Sequence, residues 1–285
     1  MKIRKVILAL SLVMLAVFFG GCGDSKQNTT TKPESAMQKK SDMGKQQEGN
    51  LDEKIVKNLI SIWGSKDIAM RQSICPVSKL PVAKLLTTRL INGEKLIERN
   101  IQEPFEYKDI KVSNVRQNGN FGIAHVSFVD GTLHMSEESG FIKIDGKWYM
   151  NLSTITSVSK MNLSGYDKRM LDIDANIGYG FDKEYLIVMD VRAKTDKLYS
   201  AGWVEPITAV LITDKGEYPL QNFGNFFAPD SPLKISSKEP VRIALPFKGA
   251  TGTPKALRLK GFNELDSRGL PANGDVAQVM NISLN

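Results

Sequence analysis

The chain has few of the residues on which enzymes and metal sites depend. Its 285 residues include two cysteines and two histidines. A disulfide framework needs several paired cysteines, and a zinc site needs clustered histidine, cysteine or carboxylate ligands. The sequence also lacks a serine nucleophile elbow, a glycine-rich phosphate loop and a His-Glu zinc helix. We therefore expect stability to come from apolar cores, and we expect neither a cofactor nor an enzyme activity.

A strong charge of one sign is also missing. The formal net charge of +7 includes Lys2, Arg4 and Lys5 at the start of the chain, and the remainder is only mildly basic. Nucleic-acid binding relies on stripes of Lys and Arg that neutralise phosphates. Because the sequence has no such stripe, nucleic acid is not an expected partner.

One long apolar run is present, from Val6 to Phe19, and Gly20, Gly21 and Cys22 follow it. The run is shorter than the roughly 20 apolar residues of a membrane-spanning helix. A cationic start, a short apolar run and small residues are typical of a secretory signal. The segment Phe19-Gly20-Gly21-Cys22 resembles the lipobox of bacterial lipoproteins, with Phe19 where that family usually has Leu.

This resemblance implies that residues 1–21 are a signal peptide and that Cys22 carries lipid, palmitate included, as the first residue of the mature protein. The protein would then be anchored through Cys22 to the cell membrane, on its extracytoplasmic face. Secretion without a lipid is the alternative. Residues 22–50 contain almost nothing apolar, which predicts a disordered tether.

Residues 51–155 have the pattern of an α+β domain. Apolar residues at helical spacing predict a helix from Asn50, which would cap it, to Trp63. Further helices are predicted at 67–73 and from Pro81 to Ile91. Alternation then predicts strands at 107–115, 121–129, 132–135, 141–144 and 148–150, with two-residue turns at Asp130-Gly131 and Asp145-Gly146.

This order of elements carries a family resemblance. With Gly64-Ser65-Lys66-Asp67 between the first helices and the closing run from Phe141 to Met150, it is similar to the nuclear-transport-factor-like (cystatin-like) domains of bacterial surface proteins. The resemblance implies an α+β cone, in which helices pack on a curved antiparallel sheet. It names no catalytic residue, because this fold carries enzymes and binding modules alike.

Residues 165–285 have an all-β pattern, and the polar stretch from Asn151 to Ser164 is predicted to be a linker. Seven short strands with turn residues between them are typical of a β-sandwich. They are predicted at 171–177, 185–193, 207–213, 217–220, 241–247, 256–259 and 276–284. The runs Tyr185–Val191, Ile212–Tyr218 and Glu239–Phe247 resemble the immunoglobulin-like domains of unknown function in cell-surface lipoproteins, without a cysteine pair between the sheets.

The two histidines form one candidate site. If Asp130-Gly131 is the hairpin loop, His125 and His134 lie on one face as diagonal neighbours about 7–8 Å apart. Such a pair is a weak candidate for zinc binding or proton transfer, with Glu137 or Glu138 nearby. The alternative is a polar face that meets solvent or the second domain.

Three other features of the sequence each have a functional and a structural interpretation. Phe223, Phe226 and Phe227 fall on a loop rich in Gly and Asn and are candidate binding residues, the alternative being that they cover one end of the sandwich. The series Asp172, Asp174, Asn176 and Gly178 resembles a calcium loop, but the Gly and the Glu of that loop are missing, which favours a half-buried strand. Cys75 has few basic residues close to it in the sequence, and we expect it to be buried and inert.

Taken together, the sequence predicts a membrane-anchored extracytoplasmic lipoprotein that acts as a ligand- or protein-binding module of the cell envelope. Two alternatives stay open. One is an enzyme that uses the cavity of the α+β domain, and the other is a purely structural spacer. The expected partners are the membrane, through the lipid on Cys22, and an envelope protein or small ligand.

Overall fold

A computed structural model of the protein describes residues 49–102, 105–195, 199–201, 208–220, 233–272 and 278–284. The described part is mostly β, with antiparallel sheets and a few short helices. It forms two compact units. Unit 1 contains the described residues up to Pro76 together with Arg99–Thr154, and unit 2 contains Val77–Glu98 together with the residues from Ile155 onward. Within the described ranges, every helix is too short or too polar to cross a membrane.

Unit 1 begins with two helices, α1 (Glu53–Trp63) and α2 (Ile68–Ser73). The side chain of Asp52 caps α1 by accepting a 2.7 Å hydrogen bond from the amide of Ile55. The prediction that Asn50 caps this helix is therefore wrong, although the helix itself is confirmed. The apolar side of α1 is buried, namely Ile55, Val56, Leu59, Ile60, Ile62 and Trp63.

An antiparallel meander of four strands follows in unit 1. Its order is β1-β2-β3-β4, with β1 at Tyr107–Asn118, β2 at Phe121–Asp130, β3 at Leu133–Ile144 and β4 at Lys147–Met150. The two predicted strands at 132–135 and 141–144 are parts of the single strand β3. Helix α1 contacts β1 and β4, so the helices supply one side of the core of unit 1.

One of the two predicted hairpin turns is correct and the other is displaced by one residue. Ile144 pairs with Lys147, and Asp145 and Gly146 both have positive φ, as predicted for that turn. In the other hairpin Asp130 pairs with Leu133. The loop is therefore Gly131-Thr132, with Gly131 at φ 62°. A glycine at the first loop position suits a type II′ turn, which explains the displacement.

Two antiparallel sheets form unit 2. The seven predicted strands are confirmed as β7 (Leu171–Gly180), β8 (Glu184–Ala193), β10 (Thr208–Thr213), β11 (Glu217–Pro219), β13 (Val241–Lys248), β14 (Pro254–Glu264) and β15 (Gln278–Leu284). The additional short strands are β5 (Ile155–Lys160), β6 (Leu163–Ser164), β9 (Tyr199–Ala201) and β12 (Leu233–Ile235). Because β5 and β6 lie between Asn151 and Ser164, the prediction of a linker there is wrong.

One apolar core joins these two sheets. The first sheet has the order β13-β8-β7-β5, and the second contains β11-β10-β14-β15-β6. Strand β9 also pairs with β14, and β12 pairs with β9. Inward residues of both, such as Ile177, Ile187, Leu245, Leu257 and Ile282, belong to one buried cluster. Burial of this cluster is the main source of stability for unit 2.

The segment Val77–Glu98 folds with unit 2, although its position in the chain lies inside the range predicted for the first domain. It contains a 3-10 turn (Val77–Lys79) and helix α3 (Pro81–Leu86). The prediction that α3 continues to Ile91 is wrong. The next helix, α4 (Gly93–Ile101), was not predicted, and the side chain of Asn92 accepts a 3.0 Å bond from the amide of Lys95 at its start.

Candidate functional site

The edge strand β1 has two irregularities in its pairing with β2, and one of them is a bulge at Asp109 and Ile110. Lys108 pairs with Val129 and Lys111 with Ser127, so Asp109 and Ile110 together oppose the single residue Phe128. The extra residue places Asp109 at φ 52°. Bulges bend an edge strand and redirect side chains, and they recur beside functional sites.

A cleft of about 690 Å³ opens at this bulge. Its lining comes from α1, from the bulge and from the β2–β3 hairpin near its loop. Its lining includes the side chains of Lys57, Ile110, Lys111, Ser127, His134 and Ser136. The volume lies in the range of about 300–1,000 Å³ that small-molecule sites occupy.

The cleft combines positive charge with hydroxyl groups. Lys57 and Lys111 contribute two ammonium groups, and Asp109 contributes the one carboxylate of the described lining. Two serine hydroxyls, from Ser127 and Ser136, face each other as paired residues of β2 and β3. Such a set can donate hydrogen bonds to an anion or to a polar ligand.

The two histidines lie on the same face of the sheet but are not neighbours. Because the hairpin loop is displaced by one residue, His125 pairs with Glu138 and His134 pairs with Val129. His134 is four residues from Glu138 along β3, or about 13 Å at ~3.3 Å per residue. The predicted diagonal contact is therefore wrong. Within the described ranges no group of three or more His, Cys, Asp or Glu side chains could hold a metal ion.

His125 instead contacts a serine in the wall of the cleft. Its Nε2 atom lies 2.9 Å from the Oγ of Ser136. Across the strands, Glu138 forms an ion pair of 3.1 Å with Arg116. A serine hydroxyl bonded to an imidazole is the contact through which a nucleophile is activated. Ser136 is exposed, so water competes for the same hydroxyl.

No protein-family model, curated protein or solved structure matches the chain significantly.

A buried glutamate lies behind the cleft, on the helix-facing side of the sheet. Glu137 pairs with Val126 and is 7% exposed. Burial raises the pKa of Glu137 to about 7, and a 3.4 Å hydrogen bond from Ser139 opposes this only in part. Its Oε2 atom has no hydrogen-bond partner among the described residues. Strand alternation contains the signal for this burial, because Glu137 follows Met135 on the apolar face, whereas Glu137 enters the predicted site only as a neighbour of the histidines.

Aromatic rings and a second charged residue share this interior. The rings of Tyr107 and Phe128 stack with their centroids 3.9 Å apart, and Phe105 lies beside Tyr107. The guanidinium of Arg71 is fully buried, 5.2 Å from the centroid of Phe105. Burial raises the pKa of Tyr107, and the charge of Glu137 acts in the same direction. The interior of unit 1 is therefore apolar with a few polar groups, as in many ligand pockets.

The aspartates that resemble a calcium loop lie on strand β7, as the alternative reading predicted. Asp172 accepts bonds from Arg89 and Arg192, and Asp174 accepts bonds from Lys160 and from the amide of Arg89. Burial raises the pKa of Asp172, but the two arginines outweigh it and the net shift is downward. Cations of the protein itself therefore occupy the oxygens that a calcium ion would need.

A third aspartate completes this polar face of the sheet. Asp190 is fully buried and accepts two bonds from Arg242, at 2.9 and 2.8 Å, and one from the hydroxyl of Thr88. The same Arg242 donates to the carbonyl of Leu86, and Asn176 donates to the carbonyl of Thr87 at 2.6 Å. These bonds satisfy carbonyls at the end of α3, so the polar face serves to hold the 77–98 segment.

Cys75 is buried, as predicted, and burial raises its pKa to about 12. A thiol with so high a pKa is a poor nucleophile. The remaining candidates, Cys22 and the aromatic residues Phe223, Phe226 and Phe227, lie outside the described residues.

Proposed function

We propose that the protein is a lipid-anchored extracytoplasmic module of the cell envelope that binds a small ligand or a segment of a partner protein in the cleft of unit 1. The observation that supports binding is the cleft itself, about 690 Å³ in volume and built around a bulge in the edge strand. The observation that supports anchoring is the N-terminal signal pattern that ends at Cys22. The lipid would place the cleft outside the cell membrane, at the end of a tether.

We further propose that unit 1 is a cone of the nuclear-transport-factor-like kind and unit 2 an immunoglobulin-like sandwich. Helices on one side of a four-stranded antiparallel meander support the first assignment. Two antiparallel sheets around one apolar core support the second. Both folds carry binding surfaces on many proteins, so the fold alone does not select a ligand.

Anchoring is tested by replacing the lipidated residue. We expect the full-length protein to incorporate a labelled palmitate analogue and to partition with membranes, and Cys22→Ala to do neither. Cys75→Ala, which removes the other thiol of the chain, is the matched control and should behave as the wild type. A wild-type protein without label in the soluble fraction would contradict the anchor.

Binding is tested by filling the cleft. The protein without its first 22 residues is exposed to an envelope extract, and retained ligands are detected by native mass spectrometry. We expect Ser127→Trp to lose ligand that the wild type retains, because the indole occupies the cleft. Ser113→Trp places the same ring on exposed β1, outside the cleft lining, and should retain it. If no ligand is retained by any form, the structural-spacer alternative is favoured.

A second candidate function is an enzyme that uses the same cleft, and the 2.9 Å contact between Ser136 and His125 favours it. Such an enzyme would form a covalent intermediate at the serine with histidine as base. A serine-directed fluorophosphonate probe distinguishes the two functions. Labelling of Ser136 that disappears in His125→Gln would support the enzyme, and an unlabelled protein would support binding alone.

A further inference from the structure

The two positive charges of the unit 1 cleft are unpaired, unlike those of the nearby Lys66 and Lys108. Lys66 and Lys108 both pair with Glu106, at 2.7 and 3.8 Å. Among the residues that the structure describes, the side-chain ammonium groups of Lys57 and Lys111 have no ion-pair or hydrogen-bond partner. Two unpaired ammonium groups at one concave site raise the local affinity for an anion.

The rest of the lining is suited to an apolar body. Ile110, Phe128, Val129 and Met135 line the cleft beside the two lysines. The volume of about 690 Å³ is far larger than a carboxylate or phosphate group alone would fill. The hydroxyls of Ser127 and Ser136 can donate to the oxygens of the anion, as neutral partners to the lysine charges.

We infer that the cleft binds an organic anion, in which a carboxylate or phosphodiester group faces Lys57 and Lys111 and an apolar body covers Ile110 and Val129. The inference rests on the proposed binding function of unit 1 and adds the chemical class of its ligand. Asp109, the one acidic side chain of the described lining, disfavours a second negative group on the ligand. The predicted ligand is therefore singly anionic and amphiphilic.

Four small molecules that differ in charge and in apolar chain test this class of ligand. Their binding to the protein without its first 22 residues is measured by titration calorimetry. Octanoate has the anion and the apolar body, acetate has only the anion, 1-octanol only the apolar body, and octylamine has the opposite charge. We expect octanoate to bind at least tenfold more tightly than each of the other three. Its affinity should fall as the salt concentration rises, because the lysines are exposed to solvent.

Charge removal in the cleft gives the second arm of the test. Lys57→Met and Lys111→Met should each weaken octanoate binding about tenfold, the loss of one charge-assisted bond. Lys54→Met removes an exposed lysine from the preceding turn of α1, outside the cleft lining, and should leave the affinity unchanged. Thermal unfolding of each variant shows whether it is folded.

Two outcomes overturn the inference and separate it from the proposed function. If octylamine or 1-octanol binds as tightly as octanoate, and Ser127→Trp abolishes that binding, the cleft binds ligands but does not select anions. The proposed function would then stand without this ligand class. If no probe binds and no ligand is retained from the envelope extract, both the inference and the proposed binding function are wrong.

Discussion

At the scale of single residues, Glu137 has the clearest consequence for stability. An ordinary glutamate ionises near pH 4.5, whereas burial raises the pKa of Glu137 to about 7 in the folded protein. Between these two values the folded protein keeps a proton that the unfolded chain has released. Glu137 therefore contributes a decrease in the free energy of unfolding as the pH rises from about 4.5 to about 7.

We predict that Glu137→Gln removes this decrease, because the amide keeps the shape of the side chain without its charge. The wild type should lose up to about 3 kcal/mol more than the variant between pH 4.5 and pH 8. Urea unfolding at a series of pH values measures the difference. Glu138→Gln, which alters the partly exposed neighbour paired with Arg116, is the control. Equal pH dependence of wild type and Glu137→Gln would contradict the prediction.

The sequence correctly predicted which face of the sheet each side chain of the β2–β3 hairpin occupies. It did not correctly predict which residues lie opposite one another across the two strands. Alternation correctly put His125, Ser127, His134 and Ser136 on one face of the hairpin. The predicted distance between the histidines was wrong, because it depends on which two residues form the loop. Gly131 takes the first loop position rather than the second, and this single shift places Glu138 rather than Ser136 opposite His125.

At the scale of elements, α3 depends on side chains that are distant in sequence. Its end carries carbonyls without partners inside the helix, and Asn176 and Arg242 donate to carbonyls there. Asp190 holds Arg242 in position through two bonds. The helix therefore ends at Leu86, where the sheet supplies donors, and not at the predicted Ile91.

We predict that Asp190→Ala destabilises the protein by about 3–5 kcal/mol, because it leaves the largely buried Arg242 guanidinium without its carboxylate. Glu217→Ala breaks the exposed pair of Glu217 with Arg258 and should cost less than about 1 kcal/mol. Chemical denaturation of both variants, followed by circular dichroism, measures the difference. Similar losses for the two variants would show that the buried pair has no special role.

At the scale of the whole molecule, the chain passes between the two units at three points, after Pro76, after Glu98 and after Thr154. Residues 77–98 cover a sheet face that bears Asp172, Asp174 and Asp190, and they provide Arg89 and Thr88 as partners. Without this segment, the three carboxylates on this face would lose some of the hydrogen bonds that compensate for their burial.

We predict that residues 155–285 alone do not fold cooperatively, whereas the same residues joined to 77–98 by a flexible Gly/Ser linker do. The linked protein restores the donors to Asp172, Asp174 and Asp190. Differential scanning calorimetry measures whether each protein shows a cooperative transition. A linked protein with Thr88→Val and Arg89→Met, which lacks two of the side-chain donors, should show a lower melting temperature. A sharp transition for residues 155–285 alone would contradict the prediction.

Local patterns in the sequence determined the types of the elements. Helical spacing in α1 and alternation in the seven main strands of unit 2 report which side of each element is apolar, and that property depends only on nearby residues. Tertiary structure decided the division of the chain, the end of α3 and the cleft at Asp109-Ile110. Each of these depends on contacts between residues far apart in sequence, and such contacts leave no periodic signal in the chain.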